Sequence, residues 1–478
     1  MHLVYRHSRF FAHWIMTHEV DLAVIGSGPG GEGAAMMAAK SGLSAVVIER
    51  HHDVGGGCTH WGTIPSKALR HAVKVLSDFG QDPLLREFRN QIKVSFPQLM
   101  GNAHRVIEQQ VAMRRRFYER NRVPVIAGQA RFTGPHALEI SANGQPPKRI
   151  RAKHIIVAAG SRPYRPVDVD FNHPRVVDSD TILQLSHTPH TITIYGAGVI
   201  GCEYASIFVK LGCKVNLINT QDRLLSFLDD EITEALSYHL REQGVIVRHN
   251  EQHARIEART DDVILHLKSG RKIKSDVLLW ANGRTGNSDA LAAEAAGLVP
   301  NSRGQLKVNA FFQTEIPHIY AVGDISGPPA LASAAYDQGR FAVEHILGHA
   351  ADAARFKLLP SGIYTIPEIS SVGATERELQ DAGVPYEMGH SQFKSLARAQ
   401  MTGETVGMLK ILFHADTLEI LGVHCFGDRA SEIVHIGQTV MANAQLNNLR
   451  YFINTTFNYP TMAEAYRVAA HNGLNRLA

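Results

Sequence analysis

Two stretches of the chain carry the same pattern of apolar and polar positions. The first, "DLAVIGSGPGGEGAAMMAAKSGLSAVVIER" from Asp21, reads as an apolar strand, a glycine turn, an alanine-rich helix and a second apolar strand. The second, "TITIYGAGVIGCEYASIFVKLGCKVNLIN" from Thr191, repeats that plan. Between the repeats, Leu99, Ala103, Val106, Gln110, Val111 and Phe117 recur near helical spacing, with Arg114, Arg115 and Arg116 read as a solvated far face. "IRAKHIIVAAGSRPYRP" predicts a strand leaving the first repeat's domain. "KSDVLLWANGRTGN" predicts one leaving the second, and "QTEIPHIYAVGDI" a return to the first. From about Phe356 the pattern changes to alternating strands, "VGMLKILFH" and "EILGVHCFG", and a closing helix from "PTMAEAYRVAA", so a separate α+β domain is expected.

The glycine turns carry the chemistry. In Gly26-Ser27-Gly28-Pro29-Gly30-Gly31 the first glycine makes a tight turn, the second admits a pyrophosphate and the third lets helix pack on strand. A diphosphate then meets the free N–H groups and dipole of a helix N-terminus. Glu49, at the end of the following strand, is placed to accept hydrogen bonds from ribose hydroxyls. Gly196, Gly198 and Gly201 repeat the spacing, so the duplication predicts two dinucleotide sites on an α/β fold with two Rossmann-like domains. Glu49 stands 23 residues after Gly26, and the same step from Gly196 reaches Asn219. A carboxylate there would repel a 2′-phosphate, whereas a neutral amide does not. Thr220 and Arg223 are candidate donors to that phosphate, so a site tolerant of NAD and NADP is expected. The other reading of the same residues is that Asn219 caps a turn and Arg223 is solvated.

Composition narrows the classes. A net charge of +4 over 478 residues, with no basic tract interleaved with aromatics, argues against nucleic acid as a partner. No apolar run reaches membrane-span length. The four cysteines, Cys58, Cys202, Cys213 and Cys425, match neither a zinc pattern nor a disulfide framework, so no metal is expected and a reducing, cytoplasmic setting is the default. Residues 1–18 read as a flexible extension, an early start ahead of Met16, with a weak targeting peptide as the other option.

The repeats, "GGGC…IPSKAL", "AVGD", "IYTIPEISSVGATE" and "NYPTMAEAY" together resemble the pyridine nucleotide–disulfide oxidoreductases, in order and over nearly the whole chain from about residue 19. The resemblance implies bound FAD, a nicotinamide site on the other flavin face, and a homodimer built by the C-terminal domain, with assembly beyond the dimer left open. It implies an FAD domain at 19–165 and 285–350, an NAD(P) domain at 166–284 and a dimerisation domain at 351–478. Carried over by position, Gly26, Gly28, Gly31, Glu49, Gly56, Gly57, Cys58 and Asp324 belong to the FAD site, and Gly196, Gly198, Gly201, Asn219, Thr220, Arg223 and Gly283 to the nicotinamide dinucleotide site. Lys67 matches the lysine beside the flavin's reactive nitrogen, where a fixed positive charge stabilises the reduced cofactor. Glu203 matches its ion-pair partner.

Two departures from the family pattern set the expected activity. The disulfide enzymes keep two thiols, and the flavin-side one is replaced here by Thr63, which strands Cys58. The histidine that serves as their base is replaced by Tyr459, with Pro460 and Glu464 retained; tyrosine, with a reference pKa near ~10, is a poor base at neutral pH. What remains is hydride in and hydride out: NADPH gives hydride to FAD and NAD+ takes it from the same site, a ping-pong exchange of the Si-specific type. Trp61 and His60 are candidates to shield the flavin edge. The rivals are a single-cysteine reductase or peroxidase cycling through sulfenic acid, and a redox-inert FAD-binding sensor or assembly subunit.

Overall fold

The computed structural model describes residues 19–82, 84–85, 87–88, 94–349 and 353–477. The extension expected at residues 1–18 lies outside them. The chain divides into two units: residues up to Leu69 with Pro97–Tyr164 and Gly283–Ala354, and Arg70–Phe96 with Arg165–Asn282 and Arg355–Ala478.

In the first unit, Val20–Ile25 lies between Ala45–Glu49 and Lys148–Val157, all parallel, with Val125–Ala127 and Ile319–Ala321 on the outer sides. Because side chains alternate along a strand, Leu22 and Val24 join Ala34, Ala35 and Ala38 in one core while Ala23 and Ile25 join Ile155 and Val157 in another. Lys148–Val157 serves two sheets. Its first half alternates between buried and exposed and pairs antiparallel with Ala137–Ser141, and its last three residues are all buried in the parallel sheet. The helices Pro29–Lys40 and Ala332–Ile346 approach until backbones touch: a Cβ on Gly33 would strike the Tyr336 carbonyl, and one on Gly339 the Gly30 carbonyl.

The second unit repeats the plan. Thr191–Tyr195 is flanked by Lys214–Ile218 and Val277–Trp280, with Ile246–Arg248 and Val176–Asp178 outside them, all parallel. His253–Ala258, Val263–Leu267 and Lys272–Ser275 form an antiparallel meander. The same unit holds an antiparallel sheet in the order Ser361–Ile363, Glu368–Gly373, Ile420–Gly427, Gly407–His414, Tyr386–Gln392. Glu464–Leu474 packs on it closely enough that a Cβ on Gly389 would meet the Ala469 carbonyl. That helix opens at Glu464, not at Pro460, because Thr461 Oγ1 closes a turn onto the Asn458 carbonyl first.

A second sequence expectation fails. Phe96–Arg120 is a helix, and Arg115 and Arg116 are exposed on it, but Arg114 is buried. Its Nε lies 3.0 Å from Glu32 Oε2 and its Nη2 donates to the Tyr336 hydroxyl, which in turn donates to Glu32. A buried carboxylate requires a partner, and Glu32 supplies the reason for this arginine to turn inward.

Candidate functional site

The two glycine turns have one geometry. Gly26 has φ +102° and Gly196 φ +110°, conformations that side chains rarely adopt. Gly26 N donates to the Ile48 carbonyl at 2.8 Å while Ala158 N donates to Ile25; Gly196 N donates to Ile218 at 2.9 Å while Ala281 N donates to Tyr195. Each turn is thus held between the same two neighbouring strands. A Cβ on Gly31 would overlap the Gly26 carbonyl, and one on Gly201 the Gly196 carbonyl, so the third glycine is required by packing. Gly198 differs: a Cβ there would meet nothing within 4 Å, so no neighbour in the protein demands glycine. That open approach at the head of the helix Val199–Lys210 fits a dinucleotide diphosphate.

At the first turn, Glu49 is buried and takes three bonds: Oε2 accepts from Ser27 N at 2.9 Å and Ser27 Oγ at 2.6 Å, and Oε1 from His51 N at 2.9 Å. Ser27 Oγ accepts in turn from Gly55 N at 3.0 Å. Glu49 therefore ties the Gly26 turn to the loop that carries Gly56, Gly57 and Cys58. With Gly56 at φ +59°, a Cβ on it would stand 2.8 Å from Gly28 Cα, so the two glycine loops abut along their backbones. Thr59 Oγ1 beside Gly55 is buried without a hydrogen-bond partner among the described residues. A side-chain-free double loop and an unspent buried hydroxyl fit FAD. Asp324 Oδ2 accepts from Ser161 Oγ at 2.5 Å, and Arg284 Nε donates to that same Oγ at 2.7 Å.

Cys58 is half-buried at the short helix Gly56–His60, and Thr63 opens the helix Thr63–Gln81 that carries Lys67. Burial pushes the Cys58 thiol up, and the Thr63 hydroxyl and the positive charges of Arg114 and Lys67 only partly oppose it. The group is a thiol at neutral pH and a poor nucleophile. All four cysteines are free. Trp61 and His60 are engaged locally: the indole lies against Gly57 and the His51 ring, and His60 Nε2 lies 3.0 Å from the Val54 carbonyl. Tyr459 is exposed, ahead of Glu464.

At the second turn, Asn219 is buried and spends its amide on its own loop. Nδ2 donates to the Arg223 carbonyl at 2.7 Å and lies 3.1 Å from His249 Nδ1, while Oδ1 accepts from Gln221 N. Arg223 Nη1 bonds Asp230 at 3.0 Å, and its Nε lies 3.4 Å from Asp222. Thr220 sits half-buried between these residues. Gly283, at φ +101°, accepts from Tyr164 N and belongs to the first unit. Glu203 is buried in the second unit, and its Oε1 accepts from Tyr364 N at 2.8 Å.

Sequence reasoning passed over Ser27, Ser161, Arg284 and His249. Ser27 was legible as the one hydroxyl inside the turn; the others come from distant segments and carried no local signal. It also passed over the acidic trio Asp229, Glu231 and Glu376, whose oxygens lie close enough to hold a cation. The fully buried ammonium of Lys410 takes that position, 2.9 Å from Asp229 and 2.8 Å from Glu231 and bonded to Glu376.

This pairing of two dinucleotide folds with a C-terminal antiparallel sheet defines a class. The family model described as pyridine nucleotide-disulphide oxidoreductase matches residues 20–339, and that of the family's dimerisation domain matches 359–470. The chain belongs to this family. It is 59% identical over 462 residues to the soluble pyridine nucleotide transhydrogenase of Enterobacter sp. (strain 638), covering 96% of this chain and 99% of the relative. The protein of that name from Serratia proteamaculans (strain 568) is 59% identical over 461 residues, covering 96% and 99%. Among solved structures, the HOCl-induced flavoprotein disulfide reductase RclA from Escherichia coli superimposes with a TM-score of 0.85 at 26% identity over 94% of this chain and 99% of that one. LpdA from Mycobacterium tuberculosis gives 0.86 at 25% identity over 95% and 99%. Among the described residues no helix is long and apolar enough to cross a membrane.

Proposed function

We propose that the chain is a flavoenzyme that moves hydride between NADPH and NAD+ through FAD, in a ping-pong exchange at one nicotinamide site. The observation that carries this is Thr63, at the head of the helix that follows the short helix carrying Cys58: where a disulfide enzyme needs a second sulfur, this chain has an oxygen that cannot be oxidised reversibly. Close identity to proteins named soluble pyridine nucleotide transhydrogenase supports the same reading. When bound, FAD supplies a two-electron acceptor that can take hydride from one nicotinamide and return it to another.

The residues divide that work. The Gly26 turn and the Gly56 loop hold the FAD diphosphate, with Glu49 bracing both. Asp324, braced by Ser161, holds the ribityl chain, and Lys67 provides fixed positive charge near the isoalloxazine. The Gly196 turn holds the nicotinamide dinucleotide, with Asn219, Thr220 and Arg223 around its adenosine 2′ position. In this reading residues 19–165 and 285–350 bind FAD, 166–284 bind NAD(P), and 351–478 build a homodimer, which the dimerisation-domain match supports. A cytoplasmic setting suits four cysteines that stay reduced.

The test is to mix the holoenzyme with NADPH and the thio analogue of NAD+ and follow the reduced thio-nicotinamide. Exchange in both directions, with no reduction of oxidised glutathione or lipoamide, is expected. Turnover of either disulfide at a comparable rate would defeat the reading.

A further inference from the structure

We infer that Asp230 is a specificity-determining residue, a built-in counter-charge that keeps Arg223 from gripping a 2′-phosphate too tightly. This rests on the reading that the Asn219–Arg223 loop receives the adenosine 2′ position. Asn219 Nδ2 fixes the start of that loop by bonding the Arg223 carbonyl, so the Arg223 side chain leaves from a set point. Its Nη1 then meets Asp230 Oδ1 at 3.0 Å at the first turn of the helix Asp230–Glu242. Asp230 is itself held from the other side. Arg377 Nη2 bonds its Oδ1 at 2.6 Å and its Oδ2 at 2.7 Å. The aspartate therefore has a fixed position and is shared by two guanidinium groups.

The chemistry of an exchange enzyme gives this arrangement a use. A free arginine beside the 2′ position would form a charge-assisted bond with the phosphate of NADP and nothing comparable with the hydroxyl of NAD. NADP+ would then be slow to leave the site that NAD+ must enter. Asp230 opposes this twice: it competes for the guanidinium, and its charge repels the phosphate. Arg377 moderates it by neutralising part of that charge. All three side chains are partly exposed, so the effect is small and screened by salt.

Two substitutions at Asp230 and its clamp should shift selectivity in opposite directions. With holoenzyme and thio-NAD+ as acceptor, Asp230→Asn should raise the NADPH-to-NADH ratio of kcat/KM about threefold, chiefly through KM, and Arg377→Gln should lower it about twofold. Both shifts should shrink on going from low salt to about 0.5 M. In Arg223→Ala the further change Asp230→Asn should alter the ratio by less, since only the direct repulsion of the phosphate remains. If Arg223→Ala weakens NADPH while Asp230→Asn leaves the ratio unchanged or lowers it, the inference is overturned and the site reading stands. If Arg223→Ala moves neither cofactor, the site reading itself fails and takes the inference with it. Equal loss for both cofactors in Asp230→Asn, with a lower Tm, would show a structural role only and would also overturn the inference.

Discussion

Thr63 opens the helix that follows the short helix carrying Cys58, and burial holds that cysteine in its thiol form. A hydroxyl can share a proton with sulfur but cannot form a reversible redox bond to it. Cys58→Ser should accordingly keep most of the NADPH-to-NAD+ exchange rate, whereas Thr63→Cys should introduce a thiol pair. Loss of nearly all hydride exchange in Cys58→Ser with FAD still bound would place the sulfur on the hydride path.

With no second thiol beside Cys58, the proposed exchange stores its electrons on flavin alone. An anaerobic titration should take up two electrons per FAD and show no long-wavelength thiolate–flavin band; a reproducible count near four would require another redox centre. If Lys67 stands at the flavin as proposed, Lys67→Met should lower kcat for hydride acceptance more than it raises KM, since a fixed charge there acts on the reaction and not on docking.

Asn219 shapes its loop and, in the proposed reading, leaves the 2′ position uncharged. Asn219→Glu loses the donor to the Arg223 carbonyl and adds a negative charge. KM for NADPH should rise well above that for NADH, with about 1 kcal/mol of stability lost. Steady-state kinetics and urea denaturation together read both effects, and equal KM changes would put the phosphate pocket elsewhere.

Gly31 has no room for a methyl group, because its Cβ would meet the Gly26 carbonyl. Gly31→Ala should cost about 1–3 kcal/mol by overpacking and open the turn proposed to hold the FAD diphosphate. Flavin-to-protein absorbance after gel filtration should fall together with Tm. Full FAD content at an unchanged Tm would contradict the packing argument.

The Lys410 cluster predicts an acid-sensitive step. The hydrogen bond from His390, and then Lys410, hold the Glu231 carboxyl down from 4.5 to about 2. A depressed carboxylate contributes stability that is present above its unfolded value and lost as pH falls through its folded one. The stabilisation should be complete above 4.5 and disappear toward about 2. Glu231→Gln should flatten Tm against pH across that window, and an unaltered profile would remove Glu231 as its source.

Much of this molecule is local and therefore legible in the chain. A glycine at positive φ beside an unbroken apolar run has few alternatives, so the Gly26 and Gly196 turns, their flanking strands and their helices follow from short-range sterics. The replacement of a thiol by Thr63 is chemistry carried by one residue, and it needs no coordinates to be read. Other properties depend on which distant segments meet. Arg114 reads as one of three solvated arginines until the helices Pro29–Lys40 and Ala332–Ile346 bring Glu32 and Tyr336 to it. Lys410 lies in the middle of an apolar strand, and only the arrival of Asp229, Glu231 and Glu376 from elsewhere makes its burial tolerable. Asn219 and Arg223 have the right identities in the sequence and find near partners in the Arg223 carbonyl and Asp230, while tertiary structure adds the distant His249. Burying a charge or a polar group is favourable only with a matching group in place, and that match is made by long-range packing that no local stretch of sequence encodes.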